Sequence, residues 1–126
     1  MAIWSLKGKK VLIIDDFQEM RVMMRTMVEP LAPDLVILAQ NGEEAIEMME
    51  EQKFDIVLCD YNLGKGKDGQ QVLEEAKHRE LLPYSAIYIM ATAENTSDMV
   101  MGAIEYLPDD YISKPFNRTV LHARLK

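Results

Sequence analysis

At 126 residues the chain is the size of one domain, and folding should bury roughly two thirds of its extended-chain surface, enough for a core without staples. Its 21 acidic residues against 14 basic ones give a formal net charge of −7, which argues against nucleic-acid binding by this domain, because phosphate contacts need a basic face. A single cysteine excludes an internal disulfide, no stretch approaches a membrane span, and "MAIWSLKGKK" has too short an apolar part for a secretion signal. The expectation is a cytoplasmic protein in a reducing compartment.

Apolar runs of strand length alternate with segments of helical period. "KVLIID" (10–15) reads as a strand ending in acid, and "FQEMRVMMRTMVEPL" follows as a helix with Met20, Met23, Met24, Met27 and Val28 on one face, a stripe read as core. Pro30 and Pro33 stop it. "LVILA" (35–39) is a second strand, and "NGEEAIEMMEEQ" a short helix with Asn41 as its cap. In "FDIVLCD" the run Ile56, Val57, Leu58, Cys59 is what a strand covered on both faces looks like, and it delivers Asp60 to the lip of a glycine-rich loop. "DGQQVLEEAKHREL" (68–81) is a helix opened by Asp68 and stopped by Pro83; "AIYIMA" (86–91) is a fourth strand ending at Thr92. "SDMVMGAIEYL" (97–107) is a helix with Ser97 as cap, "DYIS" (110–113) a brief strand before Lys114-Pro115, and "NRTVLHARLK" a last helix that stops in mid-pattern without a C-terminal cap.

Five strands and five helices in alternation predict a doubly wound α/β fold, a parallel sheet with helices on both faces. In such a sheet the carboxyl ends of all strands lie along one edge, so polar residues there converge however far apart they are in sequence. The exits carry Asp15 and Asp16, Asp60, Thr92 and Lys114. Three converging carboxylates repel one another unless a cation intervenes, and carboxylate oxygens are the hard ligands that Mg²⁺ prefers. With Lys114 as a second positive centre and Thr92 as a hydroxyl donor, the arrangement suits holding a phosphoryl group on Asp60.

On these motifs, taken in order from Lys10 onward, the chain resembles the receiver domain of two-component response regulators. The resemblance implies a flavodoxin-like five-stranded sheet of order 2-1-3-4-5, with residues 1–126 as a single receiver domain and 1–8 as an N-terminal extension. It implies that Asp60 is the phosphoacceptor and that Asp15, Asp16, Asp60 and the main-chain carbonyl of Asn62 hold Mg²⁺, Asp16 as the more direct ligand and Asp15 often through water. It further implies that Thr92 is the switch hydroxyl, Lys114 the phosphate-binding lysine, and Tyr111 the aromatic that turns on activation, with Lys114-Pro115 joined by a cis peptide. Asn62 and Glu94 match positions that tune dephosphorylation. The implied partner is a sensor histidine kinase or histidine phosphotransfer protein, for which Phe17 and Gln18 stand where the family docks it, exposed helix-start residues being the plain alternative.

The implied switch remodels the face made by the fourth helix, fifth strand and last helix, carrying Met99, Val100, Glu105, Tyr106 and Arg118, where a partner or a second copy would dock as a homodimer.

The chain departs from the family after Asp60, where "YNLGKGKDG" has Gly64 and Gly66 in place of the usual proline and runs about one residue longer. Lys65 and Lys67 there could meet an acidic partner, or simply be solvated. His78 and His122 fall far from the strand exits, and Tyr84, Tyr88 and Tyr106 are read as packing residues with a polar tip. Two other functions fit the residues less well. An aspartate-nucleophile phosphatase needs nucleophile and acid two residues apart after the first strand, which "DDFQEM" does not supply; a pseudo-receiver, an interaction domain never phosphorylated, lacks acidic-pair, acceptor or lysine residues that are kept here. "GKGKDG" lacks P-loop spacing. The chain is read as a stand-alone receiver or as a fragment of a longer regulator with a C-terminal output domain.

Overall fold

A computed structural model describes residues 5–93 and 106–125. The helix expected over 97–107, with Ser97, Met99, Val100 and Glu105, and the site candidate Glu94 lie outside the described residues. Five strands, β1 (Lys10–Ile14), β2 (Leu35–Ala39), β3 (Ile56–Asp60), β4 (Ile87–Thr92) and β5 (Asp110–Ser113), alternate with helices α1 (Gln18–Val28), α2 (Gly42–Glu51), α3 (Gly69–His78) and the last helix, here α4 (Arg118–Leu125). Every pairing is parallel, and the sheet order is β2-β1-β3-β4-β5.

Side chains along each strand divide between two cores with the period of two that a pleated strand imposes. Leu12 and Ile14 of β1 point into one with Phe54, Val57, Cys59, Tyr88, Met90 and residues of α2 and α3, while Val11 and Ile13 point into the other with Ile56, Leu58, Ile89, Met24 and Val28 of α1 and Leu121 of α4. Full burial of each large aliphatic side chain contributes roughly 1.5–3 kcal/mol, so β1 and β3, covered on both faces, are the most firmly fixed elements. Leu6, ahead of β1, is buried in the second core, and its N–H donates to the Leu31 carbonyl at 2.7 Å.

The α1 stripe is narrower than its methionines imply. Met24 and Val28 are buried and Met20 and Met27 partly so, but Met23 is 46% exposed. At 3.6 residues per turn Met23 lies about 100° round from Met24, beyond the arc that the sheet covers. Asn41 caps α2, accepting from the Glu44 N–H at 2.7 Å. Asp68 caps α3 in a reciprocal capping box with Gln71.

The end of α3 differs from expectation: the helix stops well before Pro83. Glu80 takes a left-handed conformation (φ 55), its N–H donating to the Lys77 carbonyl and that of Leu81 to the Ala76 carbonyl, which is the Schellman pattern with Glu where glycine is usual. Tyr84, read as a packing residue, is fully exposed, because the turn before β4 carries it past the end of both cores; Tyr88 is 1% exposed.

At its other end α3 leans directly on the exit of β3. A Cβ built on Gly69 would stand 2.6 Å from both the Asp60 carbonyl oxygen and Met90 Sδ. Gly69 N–H donates to the Tyr61 carbonyl at 2.7 Å, and its own carbonyl accepts from the buried Tyr88 hydroxyl at 2.8 Å. Gly69→Ala should therefore destabilise the protein, the overpacking cost of about 1–3 kcal/mol outweighing the ~1 kcal/mol of helix propensity that alanine gains. Urea unfolding should show the midpoint falling with an unchanged m-value.

Candidate functional site

The strand order reverses between β1 and β3: the chain leaves β1 for β2 on one side, then returns past β1 to β3 on the other. The loops after β1 and β3 diverge and leave a crevice at the carboxyl ends of the strands. Register completes the alignment. Ile14 pairs with Cys59, Asp60 with Ala91, and Thr92 with Ser113, so the residues just past β1 and β5 and those at the ends of β3 and β4 share one edge.

Asp15 is fully buried and held on all sides. Its N–H donates to the Ala39 carbonyl at 3.1 Å, Oδ1 accepts from Phe17 N–H at 3.0 Å, and its carbonyl accepts from Arg21 Nη1 at 2.7 Å. Asp16, next in the chain, is exposed. Lys114 reaches back from the end of β5, its Nζ 2.9 Å from Asp15 Oδ2 and 3.1 Å from Asp60 Oδ2. Lys114 N–H also donates to the Thr92 carbonyl at 2.8 Å, the Lys114-Pro115 peptide is cis, and Thr92 is buried.

One ammonium does not balance three carboxylates. Burial raises the Asp60 carboxyl above the usual carboxylate range; Lys114 pulls it down, and Asp15 and Asp16 push it further up. Burial works against charge on Lys114 too, but its hydrogen bond to Asp15 and the negative charges of Asp60 and Asp15 prevail, so its ammonium is held above the ordinary lysine value. Beneath Asp60, burial pushes the Cys59 thiol up to about 12, so it is an inert neutral group at physiological pH.

The loop after Asp60 is tied down at several points. Asn62 Oδ1 accepts from Gly64 N–H at 3.0 Å. Gly64 and Gly66 take φ of 78 and 86, the left-handed region that other residues rarely adopt. Glu43, on the first turn of α2, stands against Gly66 and accepts from the Lys67 N–H at 3.4 Å. Lys67, read as solvated or free for a partner, instead pairs with Glu75 at 3.3 Å, whereas Lys65 is exposed. Tyr111 packs partly buried against the core under α2 and α3; its hydroxyl is buried with no hydrogen-bond partner among the described residues, and burial followed by the nearness of Tyr61 raises it above the ordinary phenol value. Phe17 is 66% exposed at the start of α1 and lines the crevice with Met20, beside Asp16, Asp60, Asn62 and Lys114.

A divalent cation fits this donor set. One carboxylate oxygen from each of Asp15, Asp16 and Asp60 lies within 4.8 Å of the others, hard oxygen ligands with an excess of negative charge that Lys114 alone leaves uncompensated. The described residues expected from sequence thus gather along one edge: Asp15, Asp16, Asp60 and Lys114 meet, Asn62, Gly64 and Thr92 line the same crevice, and Tyr111 stands at the neighbouring strand. Arg21, Glu43 and Gly69 were not anticipated. The Asp68 cap was a signal for the close packing at Gly69, since it fixes where α3 must begin; Arg21 and Glu43 look like any charge on a helix.

The chain belongs to the response regulator receiver domain family, whose sequence profile matches residues 11–126; it is a receiver domain of two-component signalling, a class of phosphoacceptors rather than of enzymes in the usual sense. It is 32% identical over 119 residues to the alkaline phosphatase synthesis transcriptional regulatory protein PhoP of Bacillus subtilis, a match that takes in 94% of this chain and 48% of that protein, so the chain spans about half the length of that curated relative. Among solved structures, the chemotaxis response regulator CheY4 of Vibrio cholerae superposes with a TM-score of 0.82 at 22% identity, over 94% of this chain and 97% of that one. A response regulator from Burkholderia pseudomallei, solved with a phosphorylated aspartic acid, a calcium ion and citrate, gives 0.80 at 25% identity over 94% of this chain and 67% of that one.

The raised Asp60 carboxyl has a consequence for stability. A carboxyl whose folded pKa exceeds its unfolded value leaves the fold unaffected below the unfolded value and weakens it increasingly as pH rises through the folded one. Without divalent cations, Asp60→Asn should therefore raise the melting temperature at neutral pH, and the gain should shrink as pH falls back through the carboxyl range. Thermal melts in chelator at a series of pH values measure this.

Proposed function

We propose that this receiver takes a phosphoryl group onto Asp60 from a phosphohistidine on a sensor kinase or phosphotransfer protein. The observation that carries the reading is the meeting of the Asp15, Asp16 and Asp60 carboxylates, two of them bridged by Lys114. An Asp60 oxygen attacks phosphorus, a P–O bond forms, the P–N bond breaks, and its electron pair stays on the partner's ring nitrogen. Mg²⁺ held by Asp15, Asp16, Asp60 and the Asn62 carbonyl would supply charge neutralisation for the phosphoryl oxygens. Lys114, already beside the Asp60 carboxylate, turns its ammonium to those oxygens, and Thr92 offers its hydroxyl from the next strand.

Phosphorylation adds about two negative charges. Charge-assisted hydrogen bonds from Lys114 and Thr92 contribute roughly 1.5–3 kcal/mol each, so together they approach the ~5.5 kcal/mol that carries a two-state equilibrium from nearly all inactive to nearly all active. Movement of Thr92 toward the phosphoryl group makes room for Tyr111, whose buried hydroxyl without a partner among the described residues marks a side chain with reason to move. The change reaches the β5 and α4 face, where an effector or a second copy docks. Asn62 and Glu94 set a short lifetime for the aspartyl phosphate, and Phe17 with Gln18 meets the phosphodonor protein.

With Mg²⁺ and acetyl phosphate, intact-mass analysis should show one phosphoryl group added to the wild type and none to Asp60→Ala. Equal labelling of the variant removes the assignment.

Thr92→Ala should still accept phosphoryl on Asp60 yet not pass the change on. Amide NMR with and without beryllium fluoride should show shifts at Tyr111 and along α4 in the wild type that are absent in Thr92→Ala.

A further inference from the structure

We propose that Arg21 is a positioning residue for the acidic pair, orienting the Asp15–Asp16 peptide and through it the Asp16 carboxylate; the inference rests on the cation site described above. α1 begins without a side-chain cap, its N-cap being Phe17, and the Asp15 carboxylate takes the Phe17 N–H instead. The turn from β1 into α1 therefore hangs on Asp15. A main-chain carbonyl at a fully buried residue requires a partner, and that of Asp15 finds it in the Arg21 guanidinium, one helical turn into α1, at 2.7 Å.

The carbonyl of Asp15 and the N–H of Asp16 share one rigid plane. Fixing that oxygen fixes the peptide and the direction in which the Asp16 Cα leaves it. Asp15 has burial, Phe17 and Lys114 to hold its side chain. Asp16 is exposed, so its place in the carboxylate cluster depends on the backbone that carries it. Its Oδ2 stands 3.4 Å from where a Cβ on Gly64 would lie, and one of its carboxylate oxygens lies within 4.8 Å of those of Asp15 and Asp60. Arg21 does this from outside the set of oxygen ligands, and neither composition nor spacing distinguishes it from Arg25 on the same helix.

Charge and positioning predict opposite signs. As a bare cation near three carboxylates, Arg21 would oppose a divalent ion, and its removal would tighten binding. As the residue that orients the peptide, its removal weakens binding. The test is Mg²⁺ titration of the full chain by calorimetry for the wild type, Arg21→Met and Arg21→Lys, with thermal melts of each. Arg21→Met keeps most of the side-chain packing and should weaken Mg²⁺ by about tenfold, the scale of lost second-layer hydrogen bonds to metal ligands, while Arg21→Lys, which keeps one donor and the charge, should stay within about threefold of wild type on that scale. A purely structural residue would lower the melting temperature of both variants and leave the Mg²⁺ dissociation constant unmoved. Unchanged or tighter binding by Arg21→Met overturns the inference while leaving the cation site standing; a wild type that binds no Mg²⁺ overturns both.

Discussion

Three carboxylates and one ammonium at the open edge of a parallel sheet are the interaction around which the rest of this molecule is arranged. Asp15 and Asp60 are both buried, and Lys114 lies within hydrogen-bonding distance of each. Burial of this kind is tolerable only with partners, and nearly every local feature of the upper edge supplies one. Phe17 and Arg21 hold Asp15. The Thr92 carbonyl holds the Lys114 main chain. The core beneath is apolar on both faces of β1 and β3, which keeps the two carboxylates from drifting apart.

A site so constructed is a source of instability as much as of function. With one positive charge for three negative ones, the Asp60 carboxyl holds its proton more tightly than an ordinary aspartate. Anything that brings positive charge into the crevice, or changes the charge on Asp60, acts on an arrangement already under repulsion. Such an arrangement suits the proposed switch: the buried Asp15 and Asp60 are carried by different strands and cannot relax by moving apart, so a change in charge has to be met by the loops and side chains around them. In the proposed switch Tyr111, packed against the core with its hydroxyl unpartnered among the described residues, is one such side chain.

The loop after Asp60 is fixed by its neighbours. Two glycines in left-handed conformations suggest slackness, yet Glu43, Glu75, Asn62 and the close approach of Gly69 hold the loop at both ends. Glycine here permits a path that other residues cannot follow, and the contacts from α2 and α3 then fix that path.

Much of this was legible in the sequence. A continuous apolar run identified β3 as a strand covered on both faces, the caps Asn41 and Asp68 located two helix starts, and the alternation of strand and helix implied that Asp15, Asp16, Asp60, Thr92 and Lys114 share one edge. These are properties of period and position, carried by each segment alone. Tertiary structure decided the rest. Met23 falls outside the buried arc because the sheet covers only part of α1; α3 ends at His78, ahead of the left-handed Glu80, through main-chain hydrogen bonds that no residue type announces; Lys67 pairs with Glu75 because α3 brings that carboxylate to it. Arg21 is chosen over Arg25 by the direction of a single carbonyl. A charged side chain on a helix acquires its role from what the neighbouring chain leaves without a partner, and that depends on how the elements pack, which no single segment of sequence contains.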